Sequence, residues 1–123
     1  MDYEIKEDGK FKYLEEGEGE TVVLLHGLFG ALSNFKDLFE HFKGKYKVVI
    51  PILPLYDMPV ATTGVKSLAK FVKKFIDHRG YENITLLGNS LGGHVSLVYF
   101  ANWPEKVHSM VLTGSSGLYE NAF

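Results

Sequence analysis

Residues Ile84–Gly93 read ITLLGNSLGG, and the rest of the chain is organised around them. Ile84–Leu87 is a short apolar run bounded by turn residues, the pattern of a buried strand. Gly88-Asn89-Ser90-Leu91-Gly92 then matches G-x-S-x-G. From His94 the chain stays apolar for about ten residues, long enough for a buried helix. Strand, glycine-flanked serine and helix, in that order, describe a very sharp turn. Such a turn forces its central residue into sparsely populated backbone space. Glycines on either side let the strand and the helix pass close together. Ser90 would then present its hydroxyl away from its own backbone, beside the Leu91 N–H at the start of the helix. Negative charge developing there would meet a backbone donor and the positive end of a helix dipole. A chance Gly/Ser turn shares the three fixed residues, but not the flanking strand and helix.

The chain has 123 residues, enough for one domain with its own core. It is 46% hydrophobic and 23% charged, a globular rather than a disordered composition. A formal charge of −2 gives no electrostatic case for nucleic acid or an anionic membrane. Without cysteine there is no disulfide and no thiolate chemistry. The opening MDYEIKEDGK is charged and shows no signal-peptide core, and no apolar run approaches a membrane span. These features fit a cytoplasmic protein.

Residues 3–8 and 10–15 alternate around Tyr3, Ile5, Phe11, Tyr13 and Leu14, with Asp8-Gly9 as a hairpin signal between them. Residues 15–20 read as an acidic turn whose charges face solvent. Thr21–Leu25 (TVVLL) is a continuous β-branched run, expected as a parallel strand covered on both faces. It leads into His26-Gly27-Leu28-Phe29-Gly30, at the strand end where open α/β sheets place ligands. Ser33 or Asn34 can cap a helix whose apolar face is Phe35, Leu38, Phe39 and Phe42, closed by Gly44. Lys47–Leu53 is the next strand, its pairing expected to end near Ile50 because of Pro51. Residues 54–63 read as a loop. Val65, Leu68, Ala69, Val72, Phe75 and Ile76 mark a second amphipathic helix, stopped by Gly80. Its outer face carries Lys66, Lys70, Lys73 and Lys74 and reads as solvated. The helix after Ser90 runs to about Trp103 and ends before Pro104, and Val107–Thr113 is one more strand. The GSSG at 114–117 reads as a turn. Strand–helix alternation from Thr21 onwards implies right-handed crossovers and a mostly parallel sheet of about six strands, with helices on both faces.

The succession VVLLHGLFG, VVIPIL, ITLLGNSLGGH and SMVLTGSSG resembles the α/β-hydrolase superfamily, above all its single-domain esterase, lipase and carbon–carbon bond hydrolase branches. The resemblance runs from the first hairpin to the last strand. It implies that Ser90 is the catalytic nucleophile and that the Leu91 N–H is one oxyanion-hole donor. The second donor maps onto Leu28, with Phe29 as the alternative, and Phe29 also becomes a candidate substrate-binding residue, as does Tyr119. His26 maps onto a structural hydrogen-bonding histidine of that loop. No cofactor is implied, and no His, Asp or Glu set shows metal-ligand spacing.

The departures from the family pattern matter as much. The resemblance implies the order Ser, acid, His along the chain. After Ser90 the acids are only Glu105 and Glu120, and the histidines only His94 and His108. None stands where the family places its triad partners. Asp57 follows the strand at Val48–Ile50, an earlier position to which some relatives shift the acid. The last two strands and any cap are not in the sequence. Residues 1–123 therefore read as one partial α/β-hydrolase core, the N-terminal half. The expected function is a fragment of a serine hydrolase acting on a small ester or similar carbonyl, inactive alone. A non-catalytic binding or dimerisation module is the alternative. A bare edge on the last strand implies a homodimer, a swapped assembly or a complementing C-terminal fragment.

Overall fold

The computed structural model describes residues 4–26, 36–54 and 60–113. The strands are β1 (Lys6–Asp8), β2 (Phe11–Glu16), β3 (Thr21–Leu25), β4 (Lys47–Pro51), β5 (Ile84–Asn89) and β6 (Val107–Thr113). The helices are α1 (Lys36–Phe42), α2 (Val60–Arg79) and α3 (Leu91–Asn102), with a 3-10 turn at Pro104–Lys106. One six-stranded sheet has the order β1-β2-β4-β3-β5-β6. The β1–β2 and β2–β4 pairs are antiparallel, and β4, β3, β5 and β6 are mutually parallel. The apolar run of β3 lies in the middle and is buried along its whole length, as strands covered on both faces are.

Each sheet face carries its own core. On one, α2 and α3 cover Val23, Leu25, Val49, Leu86 and their neighbours, with Leu68, Val72, Phe75, Val95 and Tyr99 fully buried. On the other, Phe39 of α1 packs against Leu14, Leu24, Val48 and Ile50. Alternate residues of one strand thus serve opposite layers. Gly80 closes α2 at φ 77°, its N–H donating to the Ile76 carbonyl at 2.9 Å. Charged groups fasten the first hairpin to the end of this helix. Asp8 receives His78 at 2.8 Å and Arg79 at 2.7 Å, and the Arg79 guanidinium lies 4.7 Å from the Tyr13 ring centre. The His78 and Arg79 hydrogen bonds hold the Asp8 carboxyl below its usual range.

Three expectations change. Pro51 belongs to β4 and pairs with Tyr13. The Ile52 N–H donates to the Lys12 carbonyl at 2.8 Å, so the Pro51 nitrogen points the other way, where the β3–β4 ladder has already ended at Val23 and Val49. A missing N–H there costs no ladder bond. Helical backbone also begins at Val60, inside the expected loop; Gly64, at φ 72° and ψ 175°, separates this first turn from the rest of α2. Glu15 is not a solvated charge. It accepts the Tyr81 hydroxyl and faces Arg79 at 3.5 Å, with its side chain 18% exposed. Burial pushes the Tyr81 phenol well up.

Candidate functional site

The β5 ladder fixes where the serine stands. β5 pairs with β3 from Thr85 to Gly88 and with β6 up to Asn89, so β3 holds it to its penultimate residue and β6 to its last. Helix α3 begins immediately, at Leu91. Ser90 joins them at φ 56° and ψ −118°, a conformation that L-residues rarely adopt. Three backbone hydrogen bonds hold it there. Its N–H donates to the Thr113 carbonyl of β6 at 3.0 Å. Its carbonyl accepts the N–H groups of Gly93 at 2.9 Å and His94 at 3.3 Å, closing the first turn of α3. Beside it, the Thr113 hydroxyl donates to the Asn89 side-chain oxygen at 3.2 Å.

The flanking glycines are required by contact. A Cβ on Gly92 would run into the Leu25 carbonyl and come within 3.0 Å of the His26 nitrogen. A Cβ on Gly88 would meet the Gly92 carbonyl and lie 2.6 Å from the Ser96 hydroxyl. Ser96 is fully buried and donates to the Gly92 carbonyl at 2.9 Å. It went unnoticed in the sequence, where the signal is a small residue four places after Gly92. β3, β5 and α3 thus converge at backbone distance beneath Ser90, while Ser90 itself is exposed. The first N–H groups of α3 carry the positive end of the helix dipole on this side.

His26 follows β3 and is 4% exposed. Its Nε2 accepts the Leu53 N–H at 3.1 Å, so that nitrogen is unprotonated and already engaged. This is the structural role the resemblance assigned, tying the end of β3 to the segment after β4. The other histidines lie apart from any acid at Ser90. His94 is exposed on α3. His108 is exposed near the start of β6, five residues before Thr113 and so about 16 Å along the strand from the Ser90 anchor. His41 is exposed, and His78 pairs with Asp8. Among the described residues no side chain hydrogen-bonds the Ser90 hydroxyl, and no group of three or more His, Asp or Glu could hold a metal. Leu28, Phe29, Asp57 and Tyr119 lie outside the described residues. Among the described residues no helix is long and apolar enough to cross a membrane.

A mostly parallel sheet with a strained serine between strand and helix defines an α/β-hydrolase core. Residues 20–122 match the model of the alpha/beta hydrolase fold. The chain belongs to the α/β-hydrolase family. It is 35% identical over 107 residues to the 2-hydroxy-6-oxononadienedioate/2-hydroxy-6-oxononatrienedioate hydrolase of Escherichia coli O81 (strain ED1a), covering 80% of this chain and 37% of the relative. It is 33% identical over 119 residues to the 2-hydroxy-6-oxo-6-phenylhexa-2,4-dienoate hydrolase of Comamonas testosteroni, covering 90% of this chain and 42% of the relative. Among solved structures, an alpha/beta hydrolase enzyme from the metagenome of sediments from the lagoon of Mar Chica, Morocco, superposes with a TM-score of 0.86 at 52% identity. That match covers 97% of this chain and 55% of the other. The chain therefore spans 37% and 42% of the length of these two curated relatives.

Proposed function

We propose that Ser90 is the nucleophile of a serine hydrolase that acts on a small ester or similar carbonyl compound. The observation that carries this reading is the Ser90 backbone at φ 56° and ψ −118° between β5 and α3. In this reading the Ser90 Oγ attacks the carbonyl carbon, its proton passes to a base, and the leaving group departs from an acyl-enzyme. The Leu91 N–H, with that of Leu28 or alternatively Phe29, holds the oxyanion. Losing one such donor typically costs about 10²–10³ in rate. Phe29 is the candidate substrate-binding residue in this reading. The C–C bond hydrolases among the relatives bring ketone carbonyls into the same substrate class.

The base and its acid come from outside these 123 residues, because neither His94 nor His108 stands with an acid at Ser90. Losing triad members costs about 10⁴–10⁶ in serine proteases, so the chain alone is expected to be nearly inactive. A p-nitrophenyl ester assay tests that. Background turnover is expected; robust turnover by this chain, abolished by Ser90→Ala, would show that it carries its own base. The same missing partners favour a second reading, a non-catalytic binding or dimerisation module. Fluorophosphonate labelling of Ser90 once the rest of a hydrolase fold is supplied separates the two, since a module would stay unlabelled. Partner chains in the first reading are a homodimer, a swapped assembly or a complementing C-terminal fragment. A cytoplasmic setting goes with it.

A further inference from the structure

In the sequence the outer face of α2 is one run of lysines, but the fold divides it. Lys73 pairs with Asp77 at 2.7 Å. Lys70 and Lys74 meet Lys10, which stands in the turn between β1 and β2. These three lysines, with Ser67 and Phe71, line an open cavity of about 290 Å³. Among the described residues none of the three has an ion-pair partner.

Two features set this cavity apart from ordinary solvated surface. The first is uncompensated charge at an unfavourable spacing. Lys66, Lys70 and Lys74 follow one another at i, i+4 steps along α2, and like charges so placed repel. Lys10 brings a further positive charge to the cavity from another element, in a chain whose formal charge is −2. The second feature is an aromatic wall. Phe71 is half-buried, and its ring meets that of Phe11 edge-on at 5.4 Å. Phe11 in turn lies 5.6 Å from Phe75 of the core, so the wall is fixed from behind. The Lys10 Nζ lies 5.6 Å from the Phe11 ring centre, a cation–π contact that holds it near this wall. Ser67, one turn before Phe71 on the same helix face, adds a hydroxyl donor.

The geometry points to a binding site for a small aromatic phosphate monoester, its phosphate among Lys10, Lys70 and Lys74 and its ring against Phe71. Three ammonium groups match the charge of about −1.5 to −2 on a phosphate monoester better than the single charge of a carboxylate. The lysines and the Ser67 hydroxyl donate to the phosphate oxygens, and the charge on both sides strengthens the lysine bonds. Volume limits the ligand. Pockets for drug-sized molecules run from about 300 to 1,000 Å³, so this one takes a single ring with one anionic group. The turn carrying Lys10 is at least three strand spacings, about 14 Å, from β5. The site is therefore separate from Ser90 and independent of the chemistry there.

Phenyl phosphate is the probe, followed by amide NMR, which reports where it binds. In low salt it is expected to shift the amides of Lys10 and of residues 67–74, saturating with a Kd of about 1 mM. Inorganic phosphate lacks the ring and benzyl alcohol lacks the charge, so each should bind about tenfold more weakly or less. The double variant Lys70→Gln, Lys74→Gln replaces exposed side chains by one of similar helix propensity, and should weaken phenyl phosphate about tenfold. Lys66→Gln removes a charge from the same helix but not from the cavity, and should change the Kd by less than about twofold. No saturable shift by about 20 mM overturns the inference. So do shifts centred on Gly92 and Gly93 beside Ser90. Inorganic phosphate binding as tightly as phenyl phosphate would reduce the site to counter-ion attraction and also overturns it, as does Lys66→Gln weakening binding as much as the double variant.

Discussion

Replacing Gly92 and Gly93, one at a time, by alanine should move stability in opposite directions. The residues are adjacent, both buried and both in α3, so helix propensity treats them alike. Each substitution gains roughly 0.5–1 kcal/mol from propensity and reduced unfolded-state freedom. Their surroundings differ. The added methyl at 92 lands on the Leu25 carbonyl and lies 3.0 Å from the His26 nitrogen, backbone atoms locked in or beside a central strand. To admit it, α3 must lift away from β3. Overpacking of this kind costs about 3 kcal/mol, leaving a net loss of about 2 kcal/mol after the propensity gain. The methyl at 93 has its nearest neighbour, the Gly88 carbonyl oxygen, at 3.4 Å, an ordinary contact. The gain should survive there, so the two variants differ by roughly 2.5–3 kcal/mol. Urea unfolding followed by far-UV CD and by Trp103 fluorescence measures both, with unchanged slopes showing that the compared states are the same. Equal midpoints for the two variants would refute the reasoning, because the close crossing of α3 over β3 would then not exist.

Ser90→Gly relieves the positive φ and should stabilise the fold by about 1 kcal/mol, the strain released less the added unfolded-state entropy; a lower urea midpoint would contradict the strained turn. His26→Ala leaves the buried Leu53 N–H without its acceptor and should cost about 1–3 kcal/mol, read from the same urea curves; an unchanged midpoint would mean that the 3.1 Å bond carries nothing. Asp8 and Asp77 are both held below 3.8, Asp8 first by its His78 hydrogen bond and Asp77 first by that from Lys73. Carboxyls with lowered folded-state pKa bind fewer protons folded than unfolded, so their stabilisation is present above 3.8 and is lost as pH falls below it. The urea midpoint should therefore fall as pH is taken down through 3.8 and below it, with a shallower fall in the double variant Asp8→Asn, Asp77→Asn. Identical drops would remove these two pairs from the acid response.

Local signals carried most of the fold. Thr21–Leu25 and Ile84–Leu87 are apolar runs closed by turn residues, and both are strands, as is Val107–Thr113. Leu68, Val72, Phe75 and Ile76 share one face of α2, and all are fully buried. What the sequence could not display is which way a group points and what comes to meet it. Pro51 is acceptable because its nitrogen faces the side where β3 has already stopped pairing, a fact of register and not of local composition. Glu15 looks like a solvent charge until Tyr81, 66 residues away, arrives to donate to it. At the site, the glycines around Ser90 announced the turn, but Ser96 beneath Gly88 is an unremarkable serine in an apolar helix. His26 was assigned a structural hydrogen bond by the family pattern, but its partner, the Leu53 N–H 27 residues away, is visible only in the fold.

The most direct test replaces the matching segment of the Mar Chica enzyme with this chain, whose alignment covers 97% of it, and treats the folded chimera with a fluorophosphonate. Peptide mass spectrometry should find one adduct, on the peptide carrying Ser90, and none after Ser90→Ala. A folded chimera that stays unlabelled, or one labelled at another serine, would contradict Ser90 as the nucleophile.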